Sequence, residues 1–276
     1  MPETKRNALP IVVGAVFLAL LGFNFWTYLH IPAEPAVLAL NAAAVLVSAG
    51  IAWLLLRNHP GRPDNPWFVP IGLVAGASLT QAVAYPNNAL GDATMQLHKS
   101  VYGFLPAFPE EAVKLLATFV VIAVFAPVKR PIEAAVIGMA VGAGFYIDET
   151  VAYAHIAAVE HAQSDLNGAL MAILGRSLTG PYAHALYTGI AAWGLGLFLC
   201  ETQRSAWWRL SRLALWGGAA IAFHGVHNAA VLAPGTVGAV AGFAVIVVQW
   251  VLLIWLYRRS RAIGRQEAEV ASHTSR

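Results

Sequence analysis

The stretch PEEAVK, Pro109 to Lys114, opens the apolar run LLATFVVIAVFA that ends at Ala126. It places two adjacent carboxylates and an ammonium at the head of a segment that carries no other charge. Read as a helix, Glu110 and Lys114 stand at i, i+4 and share a face, with Glu111 beside them. Pro109 fits the first turn, where its missing N–H breaks no helical hydrogen bond. A charged side chain in hydrocarbon costs about 2.5–3.5 kcal/mol on insertion scales, so such groups are expected to serve a function. The alternative is a pair of interfacial carboxylates complementing the helix N-terminus, an effect of about 0.3–1 kcal/mol.

The whole composition supports a membrane setting. Of 276 residues, 58% are hydrophobic and 11% charged, with nine Trp, which excludes an ordinary soluble domain. The lone Cys200 excludes an intramolecular disulfide and a multi-cysteine metal site. The net charge of +3 is no signal for nucleic acid, because the basic residues follow membrane topology. No nucleic-acid partner is expected, and no nucleotide-binding loop, internal repeat or appended soluble domain is visible.

Working outward from PEEAVK, an all-α bundle of about eight transmembrane helices is expected. The runs are 8–28, 36–56, 67–85, 109–126, 132–158, 181–199, 207–232 and 237–257. Lys5 and Arg6 precede the first, which ends in FNFWTYLH without a small-residue cleavage site and reads as an uncleaved span. RNHPGRPDNP closes the second as a loop, and 86–108, with Asp92, His98 and Lys99, reads as a longer connection. Residues 160–180 form a mixed connection, expected to be partly helical. These runs make one integral membrane domain, 1–257, with a core at about 105–232, followed by a basic and mobile tail, 258–276. An even number of spans puts both termini on one side. Fourteen Lys and Arg, Arg276 included, fall there; only Lys99 and Arg176 fall on the other, so both termini are expected in the cytoplasm.

Orientation gives each polar group a depth. Glu110, Glu111 and Lys114 lie in the outer third of the fourth span. Asp148 and Glu149 come about 17 residues into the fifth, or roughly 25 Å at 1.5 Å per residue, again in the outer half. His184 starts the sixth span, and His224, His227 and Asn228 lie past the middle of the seventh. Four helices thus present Glu, Glu, His and His at one level. His224 stands at i, i+3 to His227 and i, i+4 to Asn228, while Phe145 and Glu149 are one turn apart. Asp148 points about 100° away from Glu149 and is the weaker candidate.

This set suits hydrolysis. A carboxylate in a poorly solvated cavity can act as general base on water and then as acid toward a leaving amine. His and Asn donors can stabilise the oxyanion of a tetrahedral intermediate. Alternatively, Glu149, His184 and His224 form a His/His/Glu zinc site and Glu110 or Glu111 activates water. The chain contains no HExxH, and no Ser or Cys sits beside a base as a nucleophile would. A proton- or ion-coupled transporter is a rival, but it would need polar groups continuing to the cytoplasmic side, where the spans are nearly all apolar. A membrane amide or lipid hydrolase is a second rival.

Taken in order, these motifs resemble the PrsW family of intramembrane proteases, related to the CAAX-processing and bacteriocin-processing membrane protease group. Glu110, Glu111 and Lys114 meet its Glu-Glu-x-x-Lys pattern. GAGFYIDET, with Phe145 and Glu149, meets a glycine-rich run into Phe-Ala-x-x-Glu-Asn, with Tyr146 and Thr150 in place of the usual Ala and Asn. Arg176, His184, Thr188 and Gly189 meet the third pattern, and His224 with Asn228 the fourth; His227 is an addition. The resemblance implies an endopeptidase of the bacterial cytoplasmic membrane. It would cut a membrane-anchored protein, a regulator such as an anti-sigma factor, near the extracytoplasmic face. It also implies that Glu110 or Glu111 activates water, that Glu149, His184 and His224 bind zinc or the oxyanion with Asn228 assisting, and that Lys114 and Arg176 orient carboxylates.

Overall fold

Within a bilayer every backbone N–H and C=O must find its partner inside the protein, which long apolar sequences achieve as helices. The computed structural model describes residues 8–94, 96–97, 99–179 and 182–274; Lys5, Arg6, His98, Pro181 and Arg276 lie outside them. All regular elements among the described residues are helices. They are α1 (Ala8–Leu29), α2 (Pro35–Leu56), α3 (Phe68–Ala77), α4 (Thr80–Thr94), α5 (Lys99–Phe104) and α6 (Ala107–Val124). Then follow α7 (Pro131–Glu160), α8 (Asp165–Thr179), α9 (Ala183–Cys200), α10 (Ala206–Val231) and α11 (Gly235–Thr274).

By length and composition, six stretches can cross a membrane: α1, α2, α3 with α4, α7, α9 and the first part of α11. The remaining two expected spans are α6, with 18 residues, and α10, with 26. These two carry the buried charges or arginines that dilute their apolar character. The protein is an all-α integral membrane bundle.

α7 is its axis, buried along most of its length between α3, α8 and α9. Without a hydrophobic drive between helices in lipid, close packing depends on small residues. A Cβ on Gly142 would meet the His184 carbonyl oxygen, and one on Gly138 would lie 2.7 Å from the Thr188 carbonyl oxygen. On another face, Gly144 meets the Leu73 carbonyl of α3, and Gly76 of α3 meets that of Val141. The glycine run therefore seats the first turn of α9, and with it His184, directly on α7. That turn starts from Tyr182, whose φ of 54° is a left-handed conformation unusual for a non-glycine residue.

Two segments differ from the sequence expectation, and the connection between them agrees with it. The third span breaks at Ser78, whose hydroxyl donates to the Ala75 carbonyl at 2.8 Å, and helix then resumes through Pro86 to Thr94. The 160–180 connection, expected to be partly helical, carries the helix α8. The tail expected to be mobile continues α11 without interruption and docks. Tyr257, Ser260, Gly264 and Glu267 share one helical face. Gly61 donates its N–H to His59 Nδ1 at 3.0 Å, so the His59 Nε2–H donates to Ser260 Oγ at 3.0 Å. Gly264 lies so close to Pro60 and Gly61 that a Cβ would overlap their backbone. Arg130 joins Glu133, at 2.7 Å, to Glu267, at 3.5 Å.

Burial, reinforced by Arg261, pushes His59 from 6.5 down to about 4. His59 therefore stays neutral when docked but takes a proton when exposed. Docking is complete above pH about 6.5 and weakens as pH falls toward 4, because the released state binds more protons there. Hydrogen exchange over residues 258–264 is expected to accelerate on that descent, and in Gly264→Leu to be fast already at neutral pH. Gly142→Val should displace α9, destabilise the protein by about 1–3 kcal/mol in detergent unfolding and weaken proteolysis. Unchanged unfolding in Gly142→Val would show that α9 is not seated by that contact.

Candidate active site

The polar groups of α6, α7, α9 and α10 meet in one buried cluster. Lys114 is fully buried, with Glu111 2% and Glu110 5% exposed, so charges in this number must satisfy one another. Lys114 Nζ donates to Glu111 Oε1 at 2.6 Å and to His184 Nδ1 at 2.8 Å, lies 3.9 Å from Glu110 Oε2, and sits 4.5 Å from the centre of the Phe145 ring. Glu111 Oε1 also receives His224 Nδ1 at 2.9 Å, and Thr188 Oγ1 makes a long contact of 3.4 Å with Oε2. Glu149 Oε2 receives Arg176 at 2.5 Å and His184 Nε2 at 2.9 Å. Arg176 is held in turn by the Thr150 hydroxyl, 3.1 Å away, and by the Tyr153 ring.

These partners fix both tautomers. An ammonium only donates, so the His184 Nδ1 facing Lys114 is a lone pair and Nε2–H donates to Glu149. A carboxylate only accepts, so His224 Nδ1 carries the hydrogen given to Glu111 and Nε2 is a lone pair, 3.7 Å from Glu110 Oε2. Glu110 Oε1 accepts from Asn87 Nδ2 at 2.9 Å, whereas Oε2 is buried without a hydrogen-bond partner. Beneath the imidazoles, the Tyr187 ring stacks on His224 at 5.0 Å, and its hydroxyl donates to Gln249 Oε1 at 2.7 Å.

Not every candidate joins the cluster. Asn228 is half-buried one turn beyond His224, with its backbone carbonyl facing Gly103 of α5. His227 is half-buried beside it, and its buried Nδ1 has no partner. Asp148 faces away, accepting from Asn24 at 2.9 Å and Tyr28 at 2.8 Å of α1. Sequence reasoning missed Asn87, Tyr187 and Gln249. Tyr187 stands three residues after His184, and Gln249 is an isolated polar residue in an apolar run; both were available as signals.

A helical membrane bundle with carboxylates, imidazoles and an ammonium converging inside it is suited to hydrolysis within a membrane. The model of the family described as PrsW family intramembrane metalloprotease matches residues 65–256. The chain belongs to this family and is an intramembrane protease. No curated protein and no solved structure matches it.

Metalloprotease chemistry implies a metal, and the donors fit one. Glu110, His184 and His224 offer ligand atoms that all lie within 4.8 Å of one another. Two are imidazoles, each with a carboxylate on its other nitrogen, the usual outer support of a metal-binding His. The orphaned Glu110 Oε2 has the lone pairs a cation would satisfy. Glu149, expected among the ligands, instead sits against the opposite nitrogen of His184.

Removing the ammonium leaves Glu111 a buried carboxylate without its cation. Lys114→Met is expected to destabilise the protein by about 3–5 kcal/mol, with part of the loss recovered in Lys114→Met/Glu111→Gln. Unfolding in detergent followed by circular dichroism measures both; equal stabilities of wild type and Lys114→Met would contradict the pairing.

Proposed function

We propose that this protease cuts a single peptide bond in a membrane-anchored protein, a regulator of the anti-sigma class, near the extracytoplasmic face of a bacterial cytoplasmic membrane. Both termini lie in the cytoplasm in this reading, as the distribution of Lys and Arg supports. The observation that carries the chemistry is the convergence of Glu110, His184 and His224, whose ligand atoms lie within 4.8 Å of one another, with Glu110 Oε2 unpartnered and His184 Nδ1 facing only the Lys114 ammonium.

Glu110, His184 and His224 would hold a divalent cation, most simply zinc, with Lys114 Nζ withdrawing from His184. When bound, the cation polarises the scissile carbonyl and makes water a stronger nucleophile. Glu111 Oε2, which has only the long contact to Thr188, takes the proton of the attacking water and delivers it to the leaving amine. Glu149, fixed by Arg176, holds His184 in its Nε2–H tautomer, and Glu111 Oε1 holds His224 in its Nδ1–H form. Asn228, half-buried one turn from His224 and outside the cluster, takes no part in this step.

A second reading is favoured by one observation, the 2.8 Å contact between Lys114 Nζ and His184 Nδ1. With the ammonium remaining there, hydrolysis proceeds without metal and Glu110 Oε2 is the general base. Cleavage of a panel of single-span membrane proteins in liposomes separates the two. In both, folded Glu110→Gln and Glu111→Gln should lose cleavage, the variant that removes the base by roughly 100- to 10,000-fold. A chelator should abolish activity, and zinc restore it, only in the first. Folded variants that cut as fast as wild type would sink both readings.

A further inference from the structure

The cluster leaves one contact unexplained by the family motifs. Asn87 lies on α4, in a segment that the sequence presents as a connection, yet its Nδ2 reaches Glu110 Oε1 at 2.9 Å. A carboxylate accepts, so the amide must turn its NH2 toward Glu110. Glu110 otherwise has only more distant polar neighbours, the Lys114 ammonium at 3.9 Å and the His224 imidazole at 3.7 Å. Without Asn87 nothing fixes the torsion of its carboxylate, and either oxygen could turn toward the imidazoles.

The helix that carries Asn87 is itself anchored. Val83, one turn earlier, is buried in the main core. Beyond α4, α5 packs on α10: Gly103 approaches the Asn228 carbonyl and Leu232, and the Phe104 ring fills the space left by Gly225, next to His224. The α4–α5 segment therefore touches both α6 and α10, the helices bearing Glu110 and His224. It is placed to hold these two residues at a fixed separation.

We propose that Asn87 is a positioning residue for Glu110. Its amide pins Oε1, so that Oε2 stays turned toward His184 and His224. The role is that of an outer partner that orients a ligand, and it rests on the reading of Glu110 as a metal ligand given above.

The test uses the full-length protein in detergent, with Zn2+ titrated calorimetrically and Co2+ absorbance reporting the ligand field. Asn87→Leu removes the donor at nearly constant size, Asn87→Asp removes it isosterically, and Asn87→Gln retains an amide on a longer arm. Leu and Asp are expected to weaken Zn2+ binding by about 10- to 100-fold and to alter the Co2+ spectrum, with Gln recovering part of both. In liposomes kcat should fall with KM nearly unchanged. Added to Glu110→Gln, Asn87→Leu should have no further effect, because it acts through that carboxylate. Asp serves if Leu does not fold. If Glu110→Gln abolishes Zn2+ binding while folded Asn87→Leu or Asn87→Asp binds as wild type, the proposal alone is overturned. If Glu110→Gln also binds as wild type, the ligand reading fails and this proposal fails with it.

Discussion

The fully buried ion pair between Lys114 and Glu111, 2.6 Å apart, constrains the rest of the structure. Neither charge is tolerable in hydrocarbon alone, and one partner does not exhaust either group. The ammonium has further hydrogens, satisfied by His184 of α9 and by the face of Phe145 on α7. The carboxylate has further lone pairs, turned toward His224 of α10 and Thr188 of α9. One pair on α6 thus specifies contacts to three other helices. A one-residue shift of any of them would leave a buried charge short of a partner, at a penalty of several kcal/mol. The same network that could do the chemistry therefore also sets helix register.

Such a network closes only if the backbones come close enough for short side chains to meet. The glycines of α7 allow that approach. Gly138 and Gly142 bring α9 against α7 at Thr188 and His184, two residues whose side chains enter the cluster. Gly144 and Gly76 do the same for α3. In water a bulky apolar seam would hold such helices together, but in lipid the gain comes from close contact and interhelical hydrogen bonds. Small residues and buried polar groups are consequently two parts of one packing solution.

Much of this was legible in the sequence because helices convert spacing into direction and depth. Glu110 with Lys114, and Phe145 with Glu149, are one turn apart, and charge asymmetry supplied an expected common level. What spacing does not encode is which atom faces which. Glu149 and Glu110 lie at similar depth, yet one meets the Nε2 of His184 and the other sits near the free nitrogen of His224. Asn87 escaped notice because Pro86 and the polar residues after it read as a connection, whereas tertiary packing keeps them helical. The docked end of α11 escaped because Arg258, Arg259, Arg261 and Arg265 dominate its composition. Among the described residues, the face that matters there holds Tyr257, Ser260, Gly264 and Glu267.

Adjacent carboxylates on α7 show how a helix separates two tasks. Asp148 and Glu149 diverge by about 100°, as consecutive helical residues must. Glu149 turns inward to Arg176 and His184. Asp148 turns to α1, where Asn24 and Tyr28 bond its Oδ2 and the Asn24 amide also reaches the Ala77 carbonyl. Behind it, His155 Nδ1 accepts from the Asn41 amide of α2 at 3.0 Å, and its ring stacks on Tyr28. α1 and α2 precede the residues matched by the family and expose most of their apolar side chains. Apolar contact alone would hold such helices weakly in lipid, since hydrocarbon offers the same surroundings. Polar clasps give them a defined seat on α7. A charge neighbouring the site in sequence thus belongs, by geometry, to assembly of the bundle and not to its chemistry.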